Sequence, residues 1–151
     1  MNELAAALSS LAGSRVTDVG RTGHLMEIGF EQGGARHTLS ATCPLRAVRG
    51  ERILLGMADM DYPEDRSTDP GEAFQAGTTM YDRNAKSLTD RLATSEVRVL
   101  SAEMDAAGAV GIEADGRLRF EVMPTSAGRA KAWRLVVDGQ SYSYPGPVMV
   151  D

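Results

Sequence analysis

At 151 residues the chain suits one domain of ordinary size, or two half-sized units sharing a core. Hydrophobic residues make up 42% and charged residues 25%, close to the soluble globular average, and aromatics at 5% leave the interior to Val, Leu, Ile, Ala and Met. A net charge of -5 with a pI near 5.1 argues against a general phosphate-binding surface, so nucleic acid is not an expected partner.

The first predicted element is a helix over 2–12. Leu4, Leu8 and Leu11 form one stripe, with Asn2 as N-cap and Gly13 as the stop. Strands are expected over 15–21, 25–31, 36–42 and 51–58. Gly33-Gly34 suits a two-residue turn needing positive φ at both positions, and pairing about it sets Phe30 opposite His37, Ile28 opposite Leu39 and Met26 opposite Ala41. Residues 62–81, with two prolines and many polar side chains, read as an irregular linker or functional loop. A second helix is expected near 82–93, where Ala85, Leu88 and Leu92 make a similar stripe. Four more strands follow over 96–103, 109–113, 117–123 and 132–138. A three-residue loop at Ala114-Asp115-Gly116 would set Ile112 opposite Leu118, Val110 opposite Phe120 and Glu113 opposite Arg117. The tail, 141–151, reads as extended.

The two halves echo each other. Leu11-Ala-Gly-Ser-Arg-Val16 matches Leu92-Ala-Thr-Ser-Glu-Val97, Ile28-Gly-Phe-Glu31 matches Val110-Gly-Ile-Glu113, and Glu51-Arg-Ile-Leu-Leu55 matches Trp133-Arg-Leu-Val-Val137, each pair 81 or 82 positions apart. Such spacing predicts a duplicated helix-plus-four-strand unit, 1–61 and 82–140, within one shared domain. The fold class is α+β, and period-2 alternation such as Leu118, Phe120 and Val122 implies antiparallel sheet. A barrel, a sandwich and one curved sheet all satisfy this pattern, with a pseudo-twofold relating the units.

A single cysteine excludes an internal disulfide, and a zinc site of four cysteines or of paired cysteines and histidines. The first residues lack a basic region followed by an apolar run, and no stretch approaches the roughly 18 apolar residues of a membrane helix, so a cytoplasmic location is expected. No nucleotide loop, GxSxG or HExxH occurs, and neither cofactor nor metal is expected.

Three groups of residues are candidates. The first-hairpin register continues to place His24 opposite Cys43, which is either close enough for imidazole to activate its thiol or an inert sheet-rim cysteine beside a solvated histidine, with His37 on the same face but roughly 20 Å away. Asp59, Asp61, Glu64, Asp65 and Asp69 form an acidic cluster at and just before the start of the linker. Pro63 and the missing central Gly break the calcium-loop pattern, so if the cluster functions it is as an acidic patch for a basic partner. Trp133 with Arg134 is either a binding anchor or, since Leu135 and Val137 continue its face, a core Trp.

Asp115-Gly-Arg-Leu-Arg-Phe-Glu-Val-Met-Pro124 followed by Ala132-Trp-Arg-Leu135 resembles a pattern in small uncharacterised bacterial proteins. Some of those are encoded near polymorphic toxins and are taken to be immunity proteins. The resemblance covers about a third of the chain and brings no catalytic residue; it implies an intracellular, non-enzymatic role. The leading expectation is therefore a small binding protein that masks a basic partner, with a homodimer through exposed sheet edges as a further arrangement. The alternative is a small-molecule binder or modest enzyme with a cavity between the repeats, lined by His24, His37 and Cys43.

Overall fold

A computed structural model describes residues 3–127 and 130–146. Helix α1 (Glu3–Ser9) buries Leu8, and the turn that follows buries Leu11 before the chain reverses at Gly13. The expected N-cap, Asn2, lies outside the described residues. Five strands follow rather than four: β1 (Arg15–Thr22), β2 (Leu25–Gln32), β3 (Ala35–Ala41), β4 (Leu45–Arg49) and β5 (Arg52–Gly56). The Gly33-Gly34 turn has φ of 59° and 82°, and the pairs Phe30–His37, Ile28–Leu39 and Met26–Ala41 form as expected.

Within the stretch expected to be irregular, 62–69 and 77–79 are so, but 70–76 and 80–81 are helical. A 3-10 turn (Met57–Asp61) leads to α2 (Pro70–Ala76), where Asp69 accepts the Glu72 N–H as N-cap, Pro70 occupies the first turn and Gly77 ends the helix with φ 74°. Then α3 (Met80–Thr94) buries Tyr81, Ala85, Leu88 and Leu92 on one stripe, opened by a capping box between Thr79 and Asp82.

Arg21 ties these helices to the sheet. Its Nε and Nη2 donate to the Asp82 carboxylate at 2.8 and 2.9 Å, Nη2 also to the Phe74 carbonyl at 2.7 Å, and Nη1 to the Gly23 carbonyl at 3.0 Å. The guanidinium lies 4.3 Å over the Phe74 ring, and the Arg21 side chain is only 7% exposed. Burial is the largest influence on Asp82 and would raise its pKa. The bonds from Arg21 and from the Thr79 N–H and hydroxyl together outweigh it and hold the carboxyl below its ordinary value. Beside it the Tyr81 hydroxyl donates to the Gly20 carbonyl at 2.8 Å, and burial pushes that phenol upward.

The remaining strands are β6 (Val99–Met104), β7 (Val110–Ala114), β8 (Leu118–Val122), β9 (Trp133–Val137) and β10 (Gln140–Tyr144). The second hairpin corrects the expected register by two residues: Ile112 faces Phe120, Val110 faces Val122 and Glu113 faces Arg119. A 3-10 turn over Asp115–Arg117 takes up the extra residues, with positive φ at both Gly116 and Arg117. The start of the tail is a strand, β10, while residues 147–151 lie outside the described part.

All pairings are antiparallel, and the strands form two five-stranded sheets rather than a closed barrel. The first sheet runs β1-β2-β3-β9-β10 and the second β5-β4-β8-β7-β6. Each therefore combines three strands from one half of the chain with two from the other. At one edge they meet, through a bridge between Arg15 and Arg98 and bonds such as Val16 N–H to the Val97 carbonyl at 2.8 Å. Their inner faces share one core with α1, which packs on β6, β9 and β10, and with α3, which packs on β1 and β5. Among the described residues no helix is long and apolar enough to cross a membrane.

Candidate functional site

The outer face of the second sheet collects side chains from both halves of the chain. Alternation turns Arg46 outward on β4, Arg119 and Glu121 on β8, Gly111 and Glu113 on β7, and Ser101 and Glu103 on β6. Register then sets Arg46 opposite Glu121, Glu113 between Arg119 and Ser101, and Gly111 between Glu121 and Glu103. An ion-pair chain results: Arg46 to Glu121, Glu121 to Arg119, and Arg119 to Glu113 at 3.7 Å.

A groove of about 840 Å³ crosses this face. Its walls include Ile53, Met57, Met104 and Met123, of which Ile53 is 55% and Met123 53% exposed. Beyond the charges matched within the ion-pair chain it carries Asp59, Glu103 and Asp105. Asp59 also accepts the Gly56 N–H, and Asp105 those of Ala107 and Ala109. Glu103 is exposed, and its carboxylate has no ion-pair or hydrogen-bond partner among the described residues. The groove is thus apolar at its walls and negative in balance.

Gly111 leaves the floor of the groove open, since a Cβ built there would meet no atom within 4 Å. Gly29, its echo in the sequence, sits in the opposite situation. A Cβ at Gly29 would collide with the Asp18 carboxylate and the Arg36 guanidinium, which meet across it at 2.8 Å. Arg36 holds the Asp18 carboxyl below its ordinary pKa, chiefly by hydrogen bonding.

The residues of the acidic cluster are dispersed among local tasks. Asp59 lines the groove, Asp61 is exposed, Glu64 faces Arg83 at 3.9 Å, Asp65 accepts from the Ser67 N–H and hydroxyl, and Asp69 caps α2. Among the described residues no three of His, Cys, Asp and Glu gather as a metal cage requires. Trp133 is 2% exposed, donates from Nε1 to the Gly108 carbonyl at 2.8 Å and stacks on Tyr144, so it belongs to the core. Arg134 is exposed on the outer face of the first sheet, opposite Ser40 and Ser143.

His24 and Cys43 lie beyond the end of their ladder. The β2–β3 pairing stops at Met26–Ala41, because the Thr42 and Cys43 N–H groups turn to the Ala132 carbonyl. His24 stacks on Phe74 with ring centres 4.4 Å apart, while burial pushes the Cys43 thiol pKa up, away from the thiolate. His37 is buried, its Nδ1 accepting the Asp138 N–H at 3.3 Å. None of the three lines the groove.

Sequence reasoning overlooked the groove because outward charges on a strand read the same whether solvated or gathered. Gly111, an unfilled position within an alternating strand, was the available signal. No family model matches the chain, and neither curated proteins nor solved structures give a match.

Proposed function

We propose that the protein acts by binding rather than catalysis, and that its groove receives a cationic, partly apolar segment of a partner protein. The observation that carries this is the groove's composition: methionine and isoleucine walls around a surplus of carboxylates, with no His or Cys in its lining. Methionine walls adapt to varied apolar side chains, and carboxylates select against acidic ones. An immunity-like role, in which the groove masks a basic surface, is one form of this reading, and a reducing cytoplasm suits it.

We also infer that the two halves are duplicated units related by a pseudo-twofold. Two features support this. The spacing of the sequence echoes is one. The other is that exchanging the halves turns β1-β2-β3-β9-β10 into β6-β7-β8-β4-β5, the strand order of the second sheet.

The test of the groove is Gly111→Val, whose Cβ would meet no atom within 4 Å and whose methyls would occupy the floor, alongside Glu103→Gln. With a labelled peptide alternating Lys and Leu as probe, fluorescence anisotropy should show salt-sensitive binding to the parent protein. Each substitution should weaken it, Gly111→Val by about tenfold or more. Unchanged affinity in the folded Gly111→Val protein would remove the groove as the binding surface. If the peptide fails while an uncharged small molecule binds and is displaced by Gly111→Val, the alternative of a ligand cavity between the halves replaces the protein-partner reading.

A further inference from the structure

A second cleft, of about 350 Å³, lies between edge strand β5 and helix α3, and Ile53 borders both it and the groove. Its polar lining is Arg52 from β5 and Arg83, Asn84, Ser87 and Arg91 from α3. Steps of four residues stack Arg83, Ser87 and Arg91 on one helical stripe. No carboxylate lines the cleft, although the chain carries 21 acidic residues against 16 basic. The neighbouring Asp90 is taken by Lys86 at 3.0 Å. Arg83 has a distant ion pair with Glu64, at 3.9 Å. The guanidinium groups of Arg52 and Arg91, the Asn84 amide and the Ser87 hydroxyl have no partner among the described residues.

Three like charges around one concavity repel each other, and among the described residues only Glu64, 3.9 Å from Arg83, offsets any of them. Nor does the architecture demand them. The cleft at the other sheet's edge, where α1 meets β10, has Glu3 and Asp105 in its lining and no Arg or Lys. We propose that the β5–α3 cleft binds a phosphate-bearing ligand. Guanidinium forks grip phosphate oxygens in pairs, and the Asn84 amide and Ser87 hydroxyl supply further donors. This site is separate from the acidic groove and takes the opposite charge.

Pyrophosphate at fixed ionic strength is the probe, read by calorimetry and by thermal unfolding. Compared are the parent protein, the double variant Arg52→Gln/Arg91→Gln and the groove variant Gly111→Val. Arg52 and Arg91 are exposed, so their substitution leaves the core intact. Pyrophosphate should bind the parent and Gly111→Val alike and raise their melting temperatures. The double variant should bind on the order of tenfold more weakly. General salting effects would act on all three equally, so equal stabilisation of all three, or no binding heat with the parent, overturns the proposal. Phosphatidylcholine vesicles containing a phosphatidylinositol phosphate separate the sources. Retention that the double variant loses assigns the cleft to a headgroup, and pyrophosphate binding without retention assigns it to a dissolved ligand.

Discussion

Gly29 and Gly111 show how a missing side chain serves two ends. At Gly29 it makes room for the Asp18–Arg36 pair, and at Gly111 it leaves space. Gly29→Ala should therefore displace the pair and cost about 1 kcal/mol, since both partners are partly solvated. Gly111→Ala should be neutral or stabilising by about 0.5–1 kcal/mol, because a strand glycine carries an entropic cost that alanine avoids. Asp18 gives a second readout. Its folded pKa lies below the unfolded 3.8, so its contribution is present above that value and is lost as pH falls through the folded one. In Gly29→Ala the Asp18 carboxyl should titrate nearer its ordinary value, and the acid limb of stability should flatten. Urea midpoints against pH and NMR titration of Asp18 check this; matching behaviour of the two alanine variants would refute it. At this scale the sequence was legible where alternation decides. Trp133, in step with Leu135 and Val137, is core. The face of Arg46, Glu103 and Glu121 was not, because only cross-strand register brings residues so far apart in the chain together.

Among elements, Arg21 makes the β1–β2 turn, α2 and α3 one assembly. Removing it leaves the Asp82 carboxylate partly buried without its ion partner and releases α2 from the contact made through Phe74. Arg21→Ala should cost about 3 kcal/mol, read from urea midpoints, and speed proteolytic nicking within 62–79. A nicking rate equal to the parent's would show that α2 is held by something else. The elements missed from sequence were short ones. Asp69-Pro70 announces the start of α2, yet two turns of Pro-Gly-Glu-Ala-Phe-Gln-Ala are too brief for a periodic stripe. Likewise β4 is five residues following Pro44, and β10 was hidden by the Tyr-Pro ending of the chain's last strand. The second hairpin slipped by two because Arg117 adopts a left-handed φ of 64°, a conformation that glycine, not arginine, announces. By contrast Gly33-Gly34 fixed its register openly.

For the molecule as a whole, strand exchange between halves means that neither half owns a complete sheet. Separate fragments 1–78 and 79–151 should lack a cooperative unfolding transition, each leaving the core face of a three-stranded sheet bare. Mixing them should restore one, and the intact chain should unfold in a single step by circular dichroism and fluorescence alike. Cooperative unfolding of either fragment alone would contradict a shared core. The echoes at 81 or 82 residues pointed to two halves, but local periodicity carries no record of which strands pair, so the exchange itself could not be read from them.

The pairing of β3 with β9 also has a bearing on biosynthesis. Once β3 has been synthesised its neighbour Trp133–Val137 is still roughly ninety residues from being made. At ordinary elongation rates that interval is about 5–20 s. For that time an apolar strand with an unclaimed edge waits in a crowded cell, and the nascent chain is most open to mispairing just before its last two strands arrive.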